Sequence, residues 1–482
     1  MNLKYEIRSG VFYTFIFRYS NYAVQIIISA ILARILTPEE YGIVAVVNVF
    51  VLLFLMISTL GLGTALIQKL DISSQEIFSL FIISIPFGLI FSVLLAFSGN
   101  YIAKFYTNNA YIKITQLLSL SLFFNTINMV PYHLLLKNRE FKKIGLASVT
   151  ITFVTGILTI TLALSGFSYY SLVYQSVIQA ILTFITFYYF SRIKLYKKLK
   201  LNILIDIAKY SFFQFLYNIL DFSAKNVDTL SIGKYLGPVR LGYYDRAYRL
   251  LSTINSLTYI VNPVLHPVLS IHQKDPALIY NVLKKIFKIL SIIGMPLSIF
   301  LFFNASEIIQ ILYGPQWVMS VPIFRYISAA VWLMMLLSIT QSFFQVMGKT
   351  DFLFIYGLVN IIIICIAIFS SIFIFNSLVV LAKFLVLGYF IIFVITYYLL
   401  IVKLFKGRVS EFIGLLKSGI IISLIIIVIL FLLDHFINSS NIIYLFICKS
   451  TVTIVLYLVL LKYLGEWENL ASLLFKKGND YK

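Results

Sequence analysis

Charge is scarce in this sequence, and negative charge is scarcest. Of 482 residues, 18 are Asp or Glu and 38 are Lys or Arg, while 61% are hydrophobic. That balance excludes an ordinary water-soluble domain. The two cysteines, Cys365 and Cys448, both lie inside apolar runs, so no disulfide framework exists. The four histidines (His133, His266, His272, His435) are scattered, and no His/Cys/Asp/Glu set has the spacing of a metal site. A phosphate-cradling glycine loop is missing, which argues against an ATPase. Polar stretches never exceed roughly twenty residues, well short of the 50 or more of a typical domain. There is no room for a soluble catalytic domain, and no catalytic residue is assigned. The expectation is a protein that is not an enzyme and acts within the bilayer.

What is present is a succession of apolar runs of about 20 residues, the length that crosses a bilayer as helix. A β-barrel would instead show short alternating segments. Fourteen helices are expected, at about 10–33, 42–65, 77–98, 112–136, 145–165, 169–191, 207–233, 242–265, 283–304, 322–346, 352–375, 378–402, 414–434 and 441–464. The seventh is the least apolar. The first carries Arg18 and is too long for a signal-peptide core, so it is read as retained. The net charge of +20 does not point to nucleic acid. Lys and Arg concentrate in alternate loops, at Lys137–Lys143, Arg192–Lys200, Lys284–Lys288 and Lys403–Arg408. That is the positive-inside pattern and puts both termini in the cytoplasm of a multi-pass protein.

The chain also repeats itself. Arg34–Ile43 reads R-I-L-T-P-E-E-Y-G-I and Lys234–Tyr243 reads K-Y-L-G-P-V-R-L-G-Y, with Leu36/Leu236, Pro38/Pro238 and Gly42/Gly242 in register. The same offset sets Arg18 against Asn218, Asn21 against Asp221 and Gln25 against Lys225. Six helices precede the basic stretch and six follow it, so both halves enter the membrane in the same sense, as a parallel repeat. The expected fold is all-α and polytopic. It has an N-terminal six-helix lobe (1–191), a basic cytoplasmic linker (192–206), a C-terminal six-helix lobe (207–402), and two further helices with a tail (403–482). Pro238 and Gly242 are expected to serve the hairpin turn.

Ionisable residues inside a membrane are costly and usually face a bundle interior or a wet cavity. Here they gather on the seventh helix, where Gln214, Asn218, Asp221, Lys225 and Asp228 are spaced 4, 3, 4 and 3 and share one face. The first helix repeats the spacing with Arg18, Tyr22, Gln25 and Ser29, and the eighth opens with Asp245, Arg246 and Arg249. Two readings stand side by side. Asp228 pairs with Arg246 or Arg249 and locks helices seven and eight together; or Arg18, Lys225, Arg246 and Arg249 line a cationic cavity that receives an anionic substrate, guanidinium groups being suited to phosphate. Asp221 and Asp228 either neutralise Lys225 or bind a coupling ion. The candidate substrate-binding set is Arg18, Gln25, Asn218, Asp221, Lys225, Asp228, Arg246 and Arg249. Pro86, Pro131, Pro263 and Pro296 interrupt spans.

The runs A-R-I-L-T-P-E-E-Y-G-I (Ala33–Ile43), G-L-G-T-A-L-I-Q (Gly61–Gln68), N-V-D-T-L-S-I-G-K-Y-L-G (Asn226–Gly237) and L-G-Y-Y-D-R-A-Y-R-L (Leu241–Leu250) resemble the Wzx-type polysaccharide flippases. The likeness is to the colanic-acid and teichuronic-acid exporters of the multidrug/oligosaccharidyl-lipid/polysaccharide exporter superfamily, over about residues 5–400. It implies two six-helix lobes around a central cavity, and flipping of undecaprenyl-pyrophosphate-linked oligosaccharide across the bacterial cytoplasmic membrane by alternating access. By analogy with lipid II flippases it implies arginines that hold the pyrophosphate, by position Arg18, Arg246 and Arg249. Its partners would be the polyprenyl-linked glycan, the lipid bilayer, a glycan polymerase and glycosyltransferases, with no nucleic acid. No cofactor is expected, and no motif identifies a coupling H⁺ or Na⁺. The rival readings are a membrane-embedded glycan polymerase, ligase or glycosyltransferase, and a cation-coupled drug exporter; against the first, the longest expected extracytoplasmic loop, at about Ala305–Val321, is short.

Overall fold

The computed structural model describes residues 3–59, 72–194, 196, 212–256, 273, 275–437 and 441–467. Two compact units emerge from the packing, Met1–Asp245 and Arg246–Lys482.

The first unit contains α1 (Leu3–Ile35), α2 (Pro38–Thr59), α3 (Ser74–Tyr106), α4 (Ala110–Lys137), α5 (Phe141–Leu164), α6 (Tyr170–Ser191), α7 (Phe212–Tyr235) and the start of α8 (Pro238–Ser256). The second contains the rest of α8, α9 (Pro276–Phe303), α10 (Ala305–Tyr313), α11 (Ser320–Ser328), α12 (Val331–Val346) and α13 (Thr350–Phe373). It continues with α14 (Leu378–Tyr398), which runs on as a π-helical turn over Leu399–Leu404, then α15 (Val409–Leu415), α16 (Lys417–Phe436) and α17 (Ile442–Tyr463). Each of the fourteen expected segments is mainly helical over its described residues, with the tenth broken at Ala329–Ala330 and the thirteenth at Leu416, and no strand occurs among the described residues.

Among the described residues ten helices are long and apolar enough to cross a membrane, and α11 with α12, bent by 57°, would make an eleventh. This is a helical multi-pass membrane protein. Helices α4, α7 and α8 fall below that apolar threshold. Over its described residues α8 is more polar than α7, against the expectation that the seventh would be the least apolar.

In the first unit α4 packs on α2, α3 and α6, and α1 lies along α5. Without a hydrophobic drive between helices in lipid, small residues set these contacts. A Cβ on Gly145 would lie 2.4 Å from the Phe17 ring, and one on Gly156 would lie 2.0 Å from Ile28, so α5 meets α1 at two points eleven residues apart on both helices. Gly99 of α3 sits likewise against Thr115 of α4. Ser58 of α2 and Thr126 of α4 join hydroxyls at 2.9 Å. Buried hydroxyls such as Thr115, Thr126, Thr155 and Thr159 satisfy themselves on carbonyls one turn back.

In the second unit α9 packs on α12 and α16, and α14 packs on α11, α12 and α13. Two expectations change here. The segment expected as an extracytoplasmic loop at about Ala305–Val321 is α10 followed by a short 3₁₀ turn, Pro315–Trp317, with Trp317 fully buried. Its sequence A-S-E-I-I-Q-I-L-Y spaces apolar residues at helical intervals, so α10 folds back with one side covered. The Lys284–Lys288 cluster belongs to the first turns of α9 and not to a loop. Prolines 86, 131 and 296 lie inside α3, α4 and α9 as expected. Pro263 and most of the basic linker lie outside the described residues.

Candidate substrate-binding faces of helices one, seven and eight

The two copies of the repeated motif touch. A Cβ on Gly42 would lie 1.9 Å from the Pro238 carbonyl oxygen, and a Cβ on Gly242 would lie 1.8 Å from the Pro38 carbonyl oxygen. The contact is reciprocal: each helix start presses its glycine against the first residue of the other. Only hydrogen at those positions allows backbone to meet backbone. Gly242 therefore sits inside α8 and not in the turn. The turn is made by Gly237, at φ +86°, and Pro238 opens α8 where a missing N–H costs nothing.

Around that contact the first copy is capped. Thr37 N–H donates to Glu40 Oε2 at 2.6 Å while Glu40 N–H donates to Thr37 Oγ1 at 3.4 Å, a capping box at the start of α2. The other Glu40 oxygen accepts the Ser168 hydroxyl from the α5–α6 turn. The end of α7 is tied to the end of α3: Tyr106 Oη donates to the Leu230 carbonyl at 3.1 Å, and Lys234 donates to the Phe105 carbonyl with its ammonium 4.5 Å from the Phe105 ring centroid. These bonds fix where α7 presents its polar stripe.

Along that stripe exposure varies from residue to residue and ends in burial at Asp228. Asn218 and Lys225 are exposed, Asp221 is 25% exposed and Asp228 is 5% exposed. Lys225 pairs with Asp221 at 2.7 Å, one helical turn away. Asp228 accepts the Tyr244 hydroxyl at 2.5 Å and the Thr229 N–H at 2.6 Å. Among the described residues no cation pairs with it, so the Asp228 salt bridge to Arg246 or Arg249 does not form. Tyr244, 1% exposed, carries the link between α7 and α8 instead. A phenol is a donor that holds a carboxylate without burying a second charge, which makes it cheaper than a guanidinium in this setting. The proximity of an aromatic two turns into α8 was not read from the sequence, where acid-to-base pairing was the obvious choice. Gln214 lies in the part of α7 whose side chains are not described.

On α1, Arg18 is half-buried and its Nε lies 3.4 Å from the Tyr22 hydroxyl; Gln25 is exposed. Arg246 is 8% exposed and Arg249 is exposed, one turn further along α8. Thus Lys225 and Asp221 are brought together, Asp228 is set apart with Tyr244, and Arg18 keeps company with a tyrosine of its own stripe.

The matching region for known families begins in the last turn of α1. A family model described as "Polysaccharide biosynthesis protein" matches residues 31–322. The chain belongs to that family. This family member is 22% identical over 373 residues to the teichuronic acid biosynthesis protein TuaB of Bacillus subtilis (strain 168), covering 76% of this chain and 77% of that one. It is 24% identical over 331 residues to the succinoglycan biosynthesis transport protein ExoT of Rhizobium meliloti (strain 1021), covering 68% and 67%. The lipid II flippase MurJ in an inward closed conformation superimposes with a TM-score of 0.73 at 17% identity, over 96% of this chain and 99% of that one. An inward-facing multidrug resistance MATE family transporter of the MOP superfamily follows with a TM-score of 0.64 at 13% identity, over 82% and 95%. The fold of this polysaccharide biosynthesis family member is the one these two structures share.

The second unit of the family member holds charges that sequence reading passed over. Lys449 of α17, 3% exposed, binds Glu307 of α10 and Asp434 of α16, each at 2.5 Å. Lys288 of α9 binds the buried Glu466 at 2.7 Å, and Ser418 of α16 donates to the same carboxylate at 2.8 Å. These bonds fasten α16 and α17 to α9 and α10 at both ends. A lysine deep within the apolar run 442–463, Lys449, was the available signal, since such a residue needs a partner.

Proposed function

We propose that this protein moves a polyprenyl-pyrophosphate-linked oligosaccharide across the bacterial cytoplasmic membrane, with Arg18, Lys225, Arg246 and Arg249 receiving its phosphates. The observation that carries the reading is the near end-to-end likeness to a lipid II flippase fold in a chain of the polysaccharide biosynthesis family. Two features support it. The polar stripe of α7 is open at Asn218 and Lys225 and closes at Asp228, as a path entered from the linker end would. The candidate set also holds more base than acid, which suits an anionic cargo and counts against cationic drugs.

In this reading the protein is a carrier and not an enzyme. It works by alternating access, with both termini in the cytoplasm, and receives glycan from glycosyltransferases before a polymerase extends it. Lys225 is the group that exchanges its Asp221 partner for phosphate. Its side chain is 55% exposed, so leaving Asp221 costs little. Gln25 and Asn218 offer amides to the glycan, and Asp228 holds α7 against α8 through Tyr244.

The test is complementation of a deletion strain, scoring surface polysaccharide and lipid-linked intermediate together. Arg18→Ala, Lys225→Ala and Arg249→Ala, each present in the membrane at normal amounts, are expected to lower export about tenfold or more while the intermediate accumulates inside. Normal export by all three variants would rule out the cationic site. Intermediate that reaches the outer leaflet but stays unpolymerised in the deletion strain would favour a polymerase instead.

A further inference from the structure

From Ser320 to Leu404 the chain has four basic residues, Arg325, Lys349, Lys383 and Lys403, and one acid, Asp351. Tracing the chain places them. The bent span α11–α12 crosses once, α13 returns and α14 crosses again, so the starts of α11 and α14 lie at the same face of the membrane. Asp351, in the first turn of α13, lies at the other. Arg325 is five residues into α11 and Lys383 five residues into α14, both about 8 Å below that face at 1.5 Å per residue. They sit side by side, because the Lys383 ammonium is 4.8 Å from the ring centroid of Tyr326 and α11 packs on α14.

On α11 only one face is partly open. Pro322, Arg325, Tyr326 and Ala329 are half-buried, at spacings of 3, 1 and 3, and the residues between them are buried. Arg325 thus opens toward the same side as the tyrosine that carries Lys383. The Arg325 Nε is shut away with no acceptor, and among the described residues its guanidinium meets no carboxylate. The nearby acids of the same face, Glu307 and Asp434, are both taken by Lys449. Among the described residues neither Arg325 nor Lys383 has a carboxylate partner, and two such cations at the edge of a hydrocarbon layer are unfavourable unless an anion joins them.

The surroundings of Lys383 say what kind of anion. Leu387, Phe390 and Val394 follow it at +4, +7 and +11 on α14 and are 58%, 51% and 50% exposed. That line falls within about 60° of the helix circumference. The cation therefore tops an apolar strip, the shape of a site for an amphiphile with an anionic head. We infer that Arg325 and Lys383 bind the phosphate of an anionic phospholipid whose acyl chain lies along Leu387, Phe390 and Val394. The lipid is a resident of the bilayer and not the exported cargo, because Lys383 stands on the outward, apolar line of α14 with Leu387, Phe390 and Val394. Guanidinium supplies paired hydrogen bonds to phosphate, and the ammonium, braced on Tyr326, supplies the second charge.

The experiment is lipid retention by the full-length protein, extracted in mild detergent from vesicles containing equal phosphatidylglycerol and phosphatidylcholine, and read by native mass spectrometry. Wild type is expected to keep phosphatidylglycerol in about tenfold preference, and Arg325→Gln with Lys383→Gln to lose that preference. Arg325→Lys keeps the charge and is expected to keep most of the preference; Lys113→Gln, which removes an ammonium from over Tyr170 in the first unit, is expected to leave it unchanged. Equal retention by wild type and the double variant would overturn the site, as would loss in Arg325→Lys with the fold intact by thermal unfolding. Displacement of phosphatidylglycerol by an equal amount of polyprenyl phosphate would also overturn it, by giving the site to the cargo.

Discussion

Two fastenings in this molecule solve the same problem with opposite chemistry. In the first unit the starts of α2 and α8 are joined by bare backbone, Gly42 on Pro238 and Gly242 on Pro38, with no charge involved. In the second unit α17 is joined to α10 and α16 by a lysine buried between two carboxylates. Glycine contacts draw their strength from close approach and fail by steric clash. The ionic contact draws its strength from Coulomb attraction at low dielectric and fails when one partner leaves the others unpaired. One is intolerant of added volume, the other of removed charge.

The contrast can be broken from either side. Lys449→Met should have the largest effect, because Glu307 and Asp434 would face each other without a cation. A loss of about 3–5 kcal/mol is expected, read as a fall in thermal unfolding temperature of the detergent-solubilised protein. Adding Glu307→Gln to Lys449→Met should return part of that loss, and an unchanged double variant would show that the triad is not the fastening. Next come Gly42→Ala and Gly242→Ala, each expected to cost about 1–3 kcal/mol through overpacking. Since the two glycines share one contact, the double variant should cost clearly less than the sum, and strict additivity would count against the reciprocal geometry. The smallest effect is expected of Tyr244→Phe, about 1–2 kcal/mol, from removing one donor to a buried carboxylate that keeps its backbone N–H. Tyr244→Phe should be rescued in stability by Asp228→Leu, which removes the stranded acceptor; the same unfolding assay checks it.

How far the sequence reached follows from the same contrast. Spans were legible because crossing a bilayer demands about 20 apolar residues in a row, a local property. The glycine junction was half legible: the offset that aligned Gly42 with Gly242 was visible, although the meeting of the copies was not, and Gly242 was given to the turn. Partners distant along the chain were not legible. Nothing local ties Lys449 to Glu307, 142 residues away, and Asp228 took a tyrosine rather than the arginines expected. The helical spacing of Asn218, Asp221, Lys225 and Asp228 predicted a shared face. It carried no information on depth, so the burial of Asp228 at the end of that face came only from the packing of α7 on α2 and α3. The helix at Ala305–Tyr313 was mistaken for loop because nine residues are too few for a hydropathy signal.

The reciprocal junction has a consequence for how such a chain can change. Each motif is the mould for the other, so position 42 cannot gain a side chain unless the carbonyl of residue 238 withdraws, and the same holds for 242 and 38. Most of the two repeats can drift apart without either noticing. Where they touch, a change in one copy is felt at once by its twin, and the memory of a duplication should fade last at the place where its products lean on each other.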